Sequence, residues 1–177
     1  MGDAGAILCQ DETLFNDITC IRNHGRSPNG HRLVGRNSRC DHFQAAVLDL
    51  KLETIDTHNK SRREAALNYL ELLKDLPINL CPEELAEKSS WHLFRIGLES
   101  EELRDELRGF LIKNEIGCAA HFYTKAMAEE EPIKHFPGER EKAISFAKTS
   151  LCLPMHPFLT REDVEFVSIK LHEFFKA

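Results

Sequence analysis

No run of apolar residues in this 177-residue chain approaches the roughly 18 to 20 needed to cross a bilayer as a helix. The first segment, MGDAGAILCQDE, is acidic and has neither the basic nor the long apolar region of a secretory leader. Gly2 follows Met1, but position 6 is Ala rather than Ser or Thr, so the myristoylation pattern fails. Basic clusters are scarce too. Beyond Arg62-Arg63 the cations are scattered, and a net charge of −6 argues against nucleic acid or other polyanions as partners. The six cysteines include no Cys-x-x-Cys, so they are expected to be reduced and mostly buried, in a cytoplasmic protein without a membrane segment.

What remains is an ordinary globular composition, 42% apolar and 29% charged, enough for one core or for a small domain carrying part of another. Ala6-Ile7-Leu8 reads as a short buried strand, and Glu12 to Ile21 as a short helix. Asn23 to Arg39, rich in Gly, Pro, Asn and Ser, reads as an ordered loop. From Asp41, Phe43, Ala46, Val47 and Leu50 recur at helical spacing, and Leu48, Leu52 and Ile55 widen the stripe. So broad an apolar circumference predicts burial on several sides, as at an interface. Ala66, Tyr69, Leu70 and Leu73 carry the period on to about Asp75, before Pro77 and Pro82. Strand and helix then alternate. Phe94, Ile96 and Leu98 predict one strand and Ile116, Cys118, Ala120 and Phe122 a second. Leu151-Cys152-Leu153 predicts a third. Ser100 is placed to cap a helix with Leu103, Leu107, Phe110 and Leu111 inward, and Ala143, Phe146, Ala147 and Ser150 mark another. Thr160 and Asp163 form a capping box before the last helix, which buries Val164, Val167, Leu171 and Phe174. The pattern is α/β, with a C-terminal module of about 90 residues.

The most informative stretch is HRLVGRNSRCDHFQAAVLDLKL, His31 to Leu52. It sets an Asn and an Arg just before a helix opening, where unpaired N–H groups favour anions. Gly35-x-Asn37-x-Arg39-x-Asp41 followed by Gln44-Ala45-Ala46 resembles the G-x-N-x-R-x-D-x-x-Q-A-A segment of the DegT/StrS family of sugar aminotransferases, which use pyridoxal phosphate. Gly2-Asp3-Ala4-Gly5-Ala6-Ile7, Arg22-Asn23-His24-Gly25 and Trp91-His92-Leu93-Phe94 are similar to further family segments. So is Ser150-Leu151-Cys152-Leu153-Pro154-Met155-His156-Pro157, and the blocks stand in the family's order across nearly the whole chain.

The resemblance implies the C-terminal portion of a type I pyridoxal-phosphate transferase fold. Residues 1–40 would form the edge of the large cofactor domain, 41–76 the connecting helices and 77–177 the small α/β domain. It implies a homodimer, or pairing with an N-terminal part, with a nucleotide-sugar substrate and an amino-acid donor. Asn37 would donate to the cofactor phosphate of the partner subunit; the plainer reading is an Asn that caps the next helix. His31 stands at an offset where the family often has a His near the sugar, although a loop His needs no such role. His121 matches a His that lines the substrate pocket in the family, against a structural strand His. Arg39 and Asp41 are expected to pair and pin the loop at the helix start. A zinc site from Cys118, His121, Cys152 and His156 is the rival constellation, but no motif supports it and no metal is expected.

Departures from the family pattern are Arg36, Cys40 and His42 within the first motif, and the absence of the Pro-Leu-His that usually trails the His-Tyr pair, the chain reading Phe122-Tyr123-Thr124-Lys125-Ala126-Met127 after His121. The family's Schiff-base lysine is expected upstream of Met1. The first lysine here, Lys51, stands on the connecting helix in no such context. The chain is therefore expected to be the C-terminal part of an aminotransferase acting on a keto-sugar nucleotide in amino-sugar biosynthesis, inactive alone. The alternative is a non-catalytic association module acting through residues 41–75.

Overall fold

A computed structural model describes residues 3–120, 125–132, 134–135 and 137–176, and the chain divides into two compact units, Met1–Ile55 and Asp56–Ala177. The first contains helix α1 (Glu12–Arg22), a two-rung hairpin of β1 (Arg26–Ser27) and β2 (Gly30–His31), and α2 (His42–Leu52). Asp11 starts α1 by accepting from the Leu14 N–H at 2.7 Å. Glu12 and Arg22 then lie at the ends that suit the helix dipole. In the second unit run α3 (Ile55–Leu73), α4 (Glu83–Ala86), β3 (Phe94–Gly97), α5 (Glu101–Lys113), α6 (Glu141–Thr149), β4 (Ser150–Leu153) and α7 (Arg161–Lys176).

The second unit is built around β3 and β4, which pair antiparallel with Phe94 opposite Leu153 and Ile96 opposite Leu151. Those four side chains fill one face and meet Tyr69 and Leu73 of α3, Leu107 and Leu111 of α5, and Val164 and Leu171 of α7 in one core. The rings of Tyr69 and Trp91 lie 4.7 and 5.4 Å from that of Phe94. The caps expected at both long helices are present. Ser100 Oγ accepts from the Leu103 N–H at 3.2 Å, and the Thr160 and Asp163 side chains each accept from the other's backbone N–H. His172 of α7 shares a 2.9 Å hydrogen bond with the Leu72 carbonyl, which ties the last helix to α3.

Three expectations are corrected. Ala6-Ile7-Leu8 forms no strand, and Ile7 and Leu8 are 70% and 95% exposed: no strand among the described residues pairs with the segment, and an apolar run without a partner stays irregular. The alternation at Ile116 to Ala120 yields a single bridge, Ala119 to Cys152, rather than a strand; Phe122 lies outside the described residues. Alternation chooses a face but supplies no partner. Finally, α2 buries none of its residues, and Phe43, Leu50 and Leu52 are each about two-thirds exposed. Among the described residues, no helix is long and apolar enough to cross a membrane.

Candidate functional site

The loop that carries Asn37 is held by backbone rather than by side chains. At the end of α1 the Asn23 and Gly25 N–H groups both donate to the Cys20 carbonyl, at 3.1 and 2.8 Å. His24 and Gly25 then turn the chain with φ of 61° and 78°. The returning segment lies along this turn. Arg36 N–H donates to Ile21 O at 2.9 Å, His24 N–H to Arg36 O at 3.1 Å and Ser38 N–H to Arg22 O at 2.9 Å. Asn23 and Asn37 therefore face each other as an antiparallel bridge.

Two glycines permit this approach. A Cβ on Gly25 would sit 1.7 Å from the Leu33 carbonyl oxygen, and one on Gly35 would sit 2.2 Å from the Gly25 nitrogen. Any larger residue at either position would overlap backbone atoms that cannot swing away. The segments Arg22-Asn23-His24-Gly25 and Gly35-x-Asn37 are thus two sides of one contact, which their separation in sequence does not reveal. Arg32 adds a side-chain link by donating to Asp17 of α1, and this hydrogen bond raises the guanidinium above its ordinary pKa.

So held, the Asn37 side chain is exposed. Its Oδ1 accepts from Arg39 Nε at 3.3 Å, which directs the amide N–H groups away from Arg39, and no hydrogen bond to them is found among the described residues. The cap of α2 is Asp41, whose N–H donates to Gln44 Oε1 at 3.2 Å, while Gln44 Nε2 donates to Asp3 O at 3.3 Å. Arg39 does not form the expected pair with Asp41: among the described residues its hydrogen-bond partner is Asn37. The Asp41 carboxylate belongs to the helix start, and the guanidinium is left to orient the amide.

An anion arriving here meets an uncharged N–H donor beside a guanidinium, with no ion pair on Arg39 among the described residues. That donor set fits a phosphate. A cavity of about 690 Å³ in the same unit is lined mainly by Ala6, Ile7, Phe15, Ile18 and Cys40, and a smaller one of about 320 Å³ by Asp3, Arg39 and Gln44.

His31 is exposed in β2, opposite Arg26, and no contact joins it to Asn37 among the described residues. His121 lies outside the described residues. Of the zinc alternative, Cys118 is half-buried and Cys152 buried, and burial pushes both thiols up from their ordinary pKa. Among the described residues no three His, Cys, Asp or Glu side chains gather as a metal would require.

Comparison with known proteins bears on the family and the fold. The chain is 36% identical over 167 residues to the dTDP-3-amino-3,4,6-trideoxy-alpha-D-glucose transaminase of Streptomyces venezuelae, covering 90% of this chain and 42% of that protein. It is 33% identical over 180 residues to a pleiotropic regulatory protein of Geobacillus stearothermophilus, covering 99% and 48%. The crystal structure of S. venezuelae DesV superposes with a TM-score of 0.79 at 32% identity, over 94% of this chain and 45% of that one. An aminotransferase from Brucella abortus gives 0.80 at 28% identity, over 94% and 45%. The chain thus spans about half the length of the relatives it matches, and the fold is part of that of the pyridoxal-phosphate-dependent aminotransferases. Residues 1–172 match the family as a whole, and the chain belongs to the DegT/DnrJ/EryC1/StrS aminotransferase family.

Proposed function

We propose that the chain is the C-terminal part of a pyridoxal-phosphate-dependent aminotransferase that converts a keto-sugar nucleotide to its amino sugar. The observation that carries this reading is the Gly25–Gly35 contact, which holds Asn37 with its amide donors unspent. The first unit's role is to present that amide to the cofactor phosphate of a partner subunit. Asn37 supplies a neutral donor, and Arg39 holds its oxygen so that N–H rather than C=O points outward. The bound cofactor supplies the electron sink for moving an amino group, and its lysine must come from outside this chain. His31 and His121 are assigned to the nucleotide-sugar side of the site. The chain by itself is inactive, because none of its lysines stands in the family's lysine context.

The test is to join the chain to the lysine-bearing part of a close relative and compare wild type with Asn37→Ala and Asn37→Asp. Loss of one hydrogen bond to a charged group costs about 1.5–3 kcal/mol. This corresponds to about a ten- to hundredfold weaker hold on the cofactor. Asp should be worse than Ala, since it sets a carboxylate against the phosphate. Equal cofactor affinity in all three would remove the phosphate role.

A second reading, an association module, draws support from α2, where every apolar residue except the half-buried Val47 is exposed. It predicts that the chain self-associates through residues 41–75 and that Leu50→Glu with Leu52→Glu abolishes this. Sedimentation as a monomer at tens of micromolar, roughly where weak interfaces appear, would count against it.

A further inference from the structure

The face of the β3–β4 sheet opposite the core holds a cation that the aminotransferase reading does not use. Arg95 stands opposite Cys152 in the ladder, so the two share that face, away from Phe94 and Ile96. The guanidinium carbon lies 4.4 Å from the centre of the Phe146 ring of α6. The polar contact it makes is with Ser150 Oγ, 3.5 Å from Nη1 and at the limit of a hydrogen bond. No ion pair to Arg95 is found among the described residues, and the thiols of Cys152 and Cys81 are near enough to bear on its charge. Burial instead lowers its pKa from the ordinary value. A half-buried guanidinium with one hydrogen bond among the described residues is costly unless something more pairs with it.

The surroundings form a shallow pocket open to solvent. Arg95, Asn79, Gly97, Ser145 and Phe146 line a cavity of about 450 Å³, the size of a small-molecule site. Asn79 is fixed at its edge by two backbone hydrogen bonds with Gly97, of 2.8 and 2.9 Å. Gly97 makes the space: a Cβ there would come within 3.2 Å of both Arg95 Nη1 and Asn79 Cβ. Glu141 and Lys142 at the α6 end of the cavity offset each other, so the guanidinium sets the sign of the site.

We propose that this cavity binds a small planar monocarboxylate, its two oxygens on Arg95 and its body beside Phe146. The guanidinium fork matches a carboxylate in two parallel N–H···O bonds, and a single uncompensated cation suits a single negative charge. The Asn79 amide and Ser145 hydroxyl stand at the cavity wall as further donors.

Benzoate is the probe, with benzamide as its neutral isostere and inorganic phosphate as the rival anion, each titrated into the full chain while amide resonances are followed. Benzoate should shift the Gly97 and Ser145 amides saturably, at least tenfold more tightly than benzamide or phosphate. R95Q removes the charge and should weaken benzoate at least tenfold. N79D keeps Arg95 but places a carboxylate beside it, and should block the site to a similar degree, so the test survives if R95Q folds poorly. Equal binding of benzamide, tighter binding of phosphate, or benzoate affinity unchanged in N79D would each overturn the proposal.

Discussion

The two units of this chain are held by different forces. Among the described residues, Cys20 is the one buried apolar side chain of the first unit, and every other lies in the second. The second unit brings Phe94, Ile96, Leu107, Leu151, Val164 and Leu171 out of water entirely. The first leaves Leu8, Phe15, Val34, Phe43, Leu50 and Leu52 in it. Its order comes from main-chain hydrogen bonds and the Gly25–Gly35 approach. Such bonds replace bonds to water and contribute little net free energy each, whereas buried apolar area is the main favourable term. The second unit is therefore self-sufficient, while the first is shaped for use but needs cover.

Substitutions of similar severity should then differ in reach. Phe94→Ala removes a ring packed on Tyr69 and Trp91 and should cost about 3–5 kcal/mol of global stability, read from denaturant unfolding. Resonances of the first unit should not respond. Gly25→Ala forces a Cβ onto the Leu33 carbonyl and should collapse the Asn37 loop, seen as lost dispersion for Arg36 to Ser38. The main unfolding transition should stay within about 0.5 kcal/mol of wild type, as independent sites require. If Gly25→Ala lowers that transition as Phe94→Ala does, the units are one cooperative body and the contrast fails.

The smallest effect concerns pH. Hydrogen bonds from the Thr160 backbone and hydroxyl hold the Asp163 carboxyl below its ordinary value of 3.8. A depressed folded-state pKa gives stability that is full above the unfolded value and is lost as pH falls through the folded one. The stability gap between wild type and Asp163→Asn should thus be flat near neutral pH and narrow only below about pH 4. A gap that narrows around pH 6 instead would assign the dependence to a histidine.

The same contrast explains what could be read from residues in order. The helices of the second unit were legible because their signals are local: Ser100 and the Thr160–Asp163 box sit within three residues of what they cap. Phe94 and Ile96 were legible as a core face by alternation. In the first unit the motif around Asn37 was visible, but the reason for its glycines was not. Gly25 and Gly35 explain each other only once the chain folds back. The partner of Arg39 was misjudged for a related reason, since two carboxylate or amide oxygens within two residues look alike until the helix start claims one. Ala6-Ile7-Leu8 and α2 carry apolar patterns that specify burial without naming what provides it. Arg95 gave no signal, because a lone Arg in a strand shows neither its lack of an acid nor the space beside Gly97.

Native-state hydrogen exchange, resolved by residue on the full chain, tests the division most directly. The Phe94, Ile96, Leu107, Leu151 and Val164 amides should exchange only through global unfolding, while those of Gly25, Arg36 and Ser38 should exchange through local opening at far lower free energy. Protection of Gly25, Arg36 and Ser38 equal to that of the β3–β4 ladder would contradict it.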